Sequence, residues 1–162
     1  MLFRRRRQRI SPRIKLLELT VATRYAVSRL GLLVARLKSS YERTGDPSLY
    51  QMLHNVLRLQ AVLEVLSIRL ETLANIGALS SEDLSIVKRT LLEVKQAYGM
   101  IAPGIASMLA DLENMVSSIA SVSGVELSVA DDPVVGEHVR KILNEAEAVA
   151  EQRLAEIVEK PA

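Results

Sequence analysis

The stretch Leu49-Tyr-Gln-Met-Leu-His-Asn-Val-Leu-Arg-Leu-Gln-Ala-Val-Leu-Glu-Val-Leu-Ser-Ile-Arg-Leu-Glu-Thr-Leu73 carries the strongest pattern in this chain of 162 residues. Its apolar side chains recur at alternating intervals of three and four, the spacing of one face of an α-helix. The members of this seam are Leu49, Met52, Val56, Leu59, Leu63, Leu66, Leu70 and Leu73. A helix of roughly 28 residues with so narrow a seam must bury it against a partner helix.

The preceding segment, from about Ile14 to Arg43, is the expected partner. Its apolar residues fall on two neighbouring heptad positions, with Leu16, Leu30 and Leu37 on one and Leu19, Ala26 and Leu33 on the other. Between the two helices, Gly45 favours a helix end, Asp46 an N-cap and Pro47 the first helical position. A connection this short predicts an antiparallel helical hairpin about 40 Å long, at about 1.5 Å per residue.

Shorter helices are expected to follow the hairpin. Gly77 suits the end of the second helix, and Ser80-Ser-Glu-Asp83 has the form of a capping box that opens a third helix reaching Tyr98. A break at Ala102-Pro-Gly104 precedes a fourth helix. Apolar residues off the seam need a third element or a neighbouring molecule to cover them, and these are Leu57, Val62, Val65 and Ile68.

The predicted fold is therefore all-α: a long antiparallel helical hairpin with additional shorter helices packed on it. Four segments follow from the pattern. They are a basic tail at 1–13, the hairpin core with its following helices at 14–120, a flexible linker at 121–133 and an acidic amphipathic helix at 134–160.

Composition and isolated polar residues argue against an enzyme. The chain is 49% hydrophobic but only 3% aromatic, which suits long helices packed on each other. It has no Cys, so disulfides, thiolate metal sites and Cys nucleophiles are excluded. His54 and His138 stand alone, without a second ligand at metal spacing or a Ser/Asp grouping nearby. We expect no catalytic residue, no cofactor and no metal.

The charges are strongly segregated along the chain. Residues 1–43 hold twelve Lys and Arg against two acids, whereas the remainder holds nine against seventeen. The tail ends in two bulky apolar residues, and a cationic tail with an apolar tip suits an anionic membrane. The residues predicted to bind the membrane are Leu2, Phe3, Arg4, Arg5, Arg6, Arg7, Arg9, Arg13 and Lys15. A basic edge on the first helix would extend this surface through Arg24, Arg29, Arg36, Lys38 and Arg43.

Three other interpretations of the basic residues remain open, and the first is a disordered basic tail with no specific role. The basic edge suits the solvated flank of a coiled coil equally well. The tail could also contact nucleic acid, although single-strand binders interleave aromatic side chains for stacking and only Phe3 and Tyr25 lie near. Nucleic acid is therefore the less favoured partner.

Three stretches resemble the ESCRT-III family, in detail the archaeal CdvB branch that serves cell division. They are Leu63–Leu73, the run from Leu91 through Gly99-Met-Ile-Ala-Pro103 to Glu113, and Arg140–Leu154. Nothing corresponds to the winged-helix extension of some archaeal members, so the resemblance is to a short paralogue. It implies a non-enzymatic protein that polymerises on a membrane through its hairpin and remodels, constricts or cuts that membrane, in cell division or vesicle budding.

The resemblance also implies partners and a location. The partners are anionic membrane lipids, further copies and paralogous ESCRT-III subunits in a filament, and an AAA ATPase with a microtubule-interacting-and-transport domain. The location is cytoplasmic, peripheral on the inner membrane face and at the division site. The family's ATPase-docking motif is partly matched, with Ala150 where Leu is expected and Val158 where a base is expected. The matching residues are Glu147, Arg153, Leu154 and Ile157.

The acidic C-terminal helix would fold back on the hairpin in a closed monomer and leave it on assembly. Opposite charges at the two ends of the chain attract each other and would favour the closed form. The alternative is a helix that stays permanently docked. Two other functions remain open for the whole chain: a basic-tailed helical protein that binds nucleic acid or the nucleoid, and a soluble helical adaptor.

Overall fold

The computed structural model describes residues 11–77, 79–127 and 132–159. Within these ranges the chain forms five α-helices and no strand, which confirms the all-α prediction. The helices are α1 (Pro12–Thr44), α2 (Pro47–Ile76), α3 (Ser81–Tyr98), α4 (Ile105–Ser123) and α5 (Pro133–Glu159). α4 continues to Ser123, into the segment predicted as a linker.

The helix boundaries follow local chemistry that the sequence predicts. Gly45 closes α1 in the left-handed region, with φ of 65°, and its N–H donates to the carbonyl of Tyr41. The Asp46 carboxylate then accepts from the N–H of Ser48 and caps α2, which begins at Pro47. Ser80 caps α3 in the same way by accepting from the N–H of Asp83 at 3.1 Å. These predicted caps are confirmed.

α1 and α2 pack against each other along their length and run antiparallel. Three contacts at successive levels show the direction. Arg24 pairs with Glu71, the side-chain amide of Gln60 donates to the Val27 carbonyl at 3.3 Å, and the rings of Tyr41 and Tyr50 lie 5.7 Å apart. The six seam residues from Val56 to Leu73 are buried, while Leu49 and Met52 are half-buried near the turn. At about 1.5 Å per residue, the 30-residue α2 is about 45 Å long.

The other three helices close a bundle around this pair. α4 packs on α1 and on α3, and α5 packs on α2 and on α3. Leu57 and Val62, which lie off the seam, are buried as expected, and Val65 is half-buried. Ile68 is 64% exposed, so no third element among the described residues covers it, and cover by a neighbouring molecule stays a prediction.

Candidate functional site

The main exposed apolar surface lies on α1, on the side turned away from the bundle. Ile14, Leu17, Val21 and Tyr25 follow one another at intervals of three and four residues, and Leu32 continues the line one heptad later. All five are exposed, Val21 and Tyr25 to 66%. We call these five residues the outer face of α1. Their spacing places them along one side of the helix over about 27 Å, at about 1.5 Å per residue.

The packing of α1 explains why this face stays open. α2 covers one side of α1 and α4 covers another. The residues buried beneath those two helices are Leu16, Leu19, Ala26, Leu30 and Leu37, which point away from the outer face. The outer face falls outside the predicted heptad positions, and only the basic edge beside it belongs to the predicted membrane-binding surface. The signal available in the sequence was a second apolar line at helical spacing.

Arginines border the outer face towards the C-terminal half of α1. Arg29, Arg36 and Arg43 are exposed, and no hydrogen bond or ion pair joins their side chains to another residue that the structure describes. The other two members of the predicted basic edge have acidic neighbours. Arg24 pairs with Glu71 across the helix pair, and Lys38 lies 4.0 Å from the carboxylate of Glu42.

Of the nine residues predicted to bind the membrane, the structure describes only the last two, Arg13 and Lys15. Arg13 is exposed at the start of α1, whereas Lys15 is half-buried and its ammonium donates to the hydroxyl of Ser118 at 2.9 Å. The other seven, Leu2, Phe3, Arg4, Arg5, Arg6, Arg7 and Arg9, lie outside the described residues. One acidic residue, Glu18, borders the outer face.

An apolar line bordered by guanidinium groups that pair with no described residue has a definite chemical preference. Apolar side chains gain free energy when they leave water, and guanidinium groups bind phosphate oxygens through several donors at once. A surface that offers both kinds of contact is the anionic interface of a lipid bilayer. A nucleic-acid duplex would satisfy the arginines but not the apolar line.

The residues of the candidate ATPase-docking motif are all engaged within the bundle. Glu147 accepts a hydrogen bond of 2.6 Å from Arg58 of α2 and lies 3.4 Å from the ring of His54. Arg153 donates to Glu64 of α2 at 2.7 Å. Leu154 is buried and Ile157 is half-buried. These contacts occupy the motif while α5 is docked, although the side chains of Glu147 and Arg153 stay 33% and 37% exposed.

Two ionisable groups at this contact have shifted pKa values. Burial raises the pKa of the Glu147 carboxyl, but the hydrogen bond and the positive charge of Arg58 lower it by more, so the net pKa lies below its ordinary value. The hydrogen bond to Glu147 raises the pKa of Arg58, although burial opposes this. Both groups are therefore charged at neutral pH and hold α5 on α2.

Charge segregation along the chain contributes less to the docking of α5 than its apolar face does. The buried residues of α5 are Val135, Val139, Ile142, Ala146, Ala150 and Leu154. The two arginine–glutamate pairs between α5 and α2 have opposite directions. In one α5 supplies the acid, Glu147, and in the other it supplies the base, Arg153. Neither involves the basic edge of α1. The apolar contact therefore supplies most of the docking free energy.

Among the described residues, no group of histidine and acidic side chains is arranged to hold a metal ion. His138 lies 3.9 Å from Glu82, an isolated contact between α5 and α3. None of the described helices combines the length and the hydropathy needed to cross a bilayer.

No protein-family model matches this sequence, and neither a curated protein nor a solved structure shows significant similarity to it.

Proposed function

We propose that this chain is a peripheral membrane protein of the ESCRT-III type. It would assemble into polymers on the inner face of a membrane and remodel, constrict or cut that membrane, in archaeal cell division or in vesicle budding. The observation that carries the proposal is the outer face of α1, an exposed apolar line bordered by Arg29, Arg36 and Arg43. A cationic tail with an apolar tip precedes it in the sequence. The antiparallel pair of α1 and α2 would be the polymer-forming unit.

The docked position of α5 supports a closed monomer as the starting state of assembly. Leu143 and Ala146 of α5 lie beside Val62 of α2, and departure of the helix would expose apolar surface there. Departure of α5 would also release Glu147, Arg153, Leu154 and Ile157 for an AAA ATPase domain. The same event would then make the chain competent for assembly and for later disassembly.

Liposome flotation with matched variants tests the membrane part of the proposal. Val21→Ser should weaken binding to vesicles of phosphatidylcholine and phosphatidylglycerol roughly tenfold, because an inserted aliphatic side chain is lost. Ile68→Ser is the control, since Ile68 is about equally exposed but lies on α2. Removal of residues 1–13 should reduce binding further and make it less sensitive to salt.

The outcomes separate the proposal from its rivals. Equal effects of Val21→Ser and Ile68→Ser would remove the outer face from the membrane contact. Retention of DNA by a chain that ignores anionic vesicles would favour the nucleic-acid function instead. Absence of both activities would leave the helical adaptor.

Assembly is tested by removing residues 128–162. The cut leaves α4 and its Gly124 cap intact, because α4 extends to Ser123. The shortened chain should form filaments, visible by electron microscopy, at concentrations where the full chain remains monomeric. A shortened chain that stays monomeric would contradict the role of α5 in holding the closed state.

A further inference from the structure

The turn between α3 and α4 presents a second apolar projection beside the outer face of α1. Met100 is 96% exposed, the most exposed of the large hydrophobic residues that the structure describes. Its neighbours Ile101 and Ala102 are half-buried and pack against the core, so the turn has an inner and an outer side. A single exposed apolar residue needs no explanation by itself, but this one lies two residues before Ala102, which lines a groove between the turn and α1.

Backbone hydrogen bonds order the turn on both sides of Met100. The N–H of Ile101 donates to the carbonyl of Tyr98 at 3.1 Å, and the N–H of Ile105 donates to the carbonyl of Ala102 at 3.4 Å. At Gly99 a Cβ atom would come within 2.5 Å of the Lys95 carbonyl oxygen, so only glycine allows this close approach.

A groove of about 320 Å³ separates this turn from α1. The α1 side of the groove carries Arg29 and Arg36, with Leu32 of the outer face between them in sequence. The opposite wall is formed by the turn, including Ala102 and Pro103. No acidic side chain lines the groove, and both arginines lack a hydrogen-bonding partner among the described residues. The groove is therefore positively charged and partly apolar.

We propose that this groove binds the headgroup of an anionic phospholipid while Met100 inserts beside it into the bilayer. Arg29 and Arg36 would contact the lipid phosphate, and Leu32 and Met100 would contact the acyl region on either side. Methionine suits insertion because its unbranched side chain adapts to irregular apolar surroundings. The inference rests on the proposed membrane function and adds to it a defined lipid site and a second insertion point outside α1.

A single-cysteine experiment tests the insertion point, and the natural sequence contains no cysteine that would interfere. Met100→Cys, Val21→Cys and Ile68→Cys are each labelled in the full chain with an environment-sensitive fluorophore. Vesicles contain equal parts of phosphatidylcholine and phosphatidylglycerol. The emission should shift to the blue at positions 100 and 21 and remain unchanged at position 68.

The result at position 100 decides the inference separately from the proposed function. A shift at position 21 without one at position 100 would overturn the second insertion point and leave the membrane function standing. No shift at either position would overturn both.

Charge-matched variants test the lipid site. Arg29→Gln combined with Arg36→Gln should weaken vesicle binding about fivefold per arginine. Arg140→Gln combined with Lys141→Gln on α5 removes the same charge from another surface and should change binding by less than twofold. Equal losses from the two pairs would show general attraction to the membrane and overturn the groove as a site.

Competition distinguishes a lipid headgroup from a free anion. Inorganic phosphate should displace the protein from vesicles no better than sodium chloride at the same ionic strength. Selective displacement by phosphate would show that the groove takes the free anion and would overturn the assignment to lipid.

Discussion

Glu147 links the stability of the bundle to pH at the scale of a single side chain. Its pKa in the folded chain lies below the ordinary value of 4.5, because the hydrogen bond and charge of Arg58 outweigh the effect of burial. A carboxyl whose pKa falls on folding stabilises the folded state at pH values above its unfolded pKa. That contribution disappears as the pH falls through the lower, folded pKa.

Glu147→Gln should therefore destabilise the chain in a pH-dependent way. At pH 7 the free energy of unfolding should fall by about 1 kcal/mol, since water partly screens a contact at the edge of the bundle. The difference from the natural chain should begin to narrow below about pH 4.5 and should be lost only once the pH falls through the lower pKa of the folded carboxyl. Urea unfolding followed by circular dichroism at several pH values measures it.

Glu145→Gln is the matched control for this prediction. Glu145 is exposed on the same helix and has no ion pair with another described residue. Its replacement should change the unfolding free energy by less than about 0.5 kcal/mol. A loss for Glu147→Gln that stays constant from pH 7 to pH 3 would contradict a role for the charged contact.

At the scale of elements, α5 docks through a face that includes two small residues. Ala146 and Ala150 are both almost completely buried, as is Ala61 on α2. Small side chains allow close packing and leave little space for a larger one. A larger side chain at position 150 would therefore press against the bundle.

Ala150→Leu should loosen α5 without disturbing the other helices. Overpacking a buried position costs about 1–3 kcal/mol, and the strain falls on the docking of α5. Hydrogen exchange should accelerate along α5 and remain slow in α1 and in the middle of α2. Ala148→Leu, at an exposed position of the same helix, should leave exchange unchanged. Equal acceleration in both variants would rule out a tightly packed interface at Ala150.

The elements differ in how far the sequence could predict them. The seam of α2 and the caps at Asp46 and Ser80 were predictable, because spacing and capping depend on nearby residues alone. The solvent exposure of the outer face was not predictable, since Val21 is apolar and could have packed under another helix. The same limit applies to Ile68, which is exposed although a third element or a neighbouring molecule was expected to cover it. Exposure depends on which helices arrive from distant parts of the chain.

At the scale of the whole molecule, α5 and the outer face belong to different sides of the bundle. α5 packs on α2 and α3, whereas the outer face lies on α1 between the sides covered by α2 and α4. The docked helix therefore leaves the proposed membrane surface uncovered. Membrane binding and release of α5 should then be independent steps, and a closed monomer should already bind a bilayer.

A two-by-two comparison tests this independence. Val21→Ser is introduced into the full chain and into the chain without residues 128–162, and vesicle affinity is measured at protein concentrations below assembly. Removing the acidic helix makes the chain more positive and should strengthen binding in itself. That general effect cancels when each variant is compared with its own parent, because effects of separate sites add.

The substitution should therefore weaken binding by the same factor, roughly tenfold, in both backgrounds. Circular dichroism of the shortened chain must first show that α1 to α4 remain helical. If α5 instead covered the outer face in the full chain, Val21→Ser would have little effect there and its full effect only after the truncation. That pattern would contradict independent steps and would make release of α5 a precondition for membrane binding.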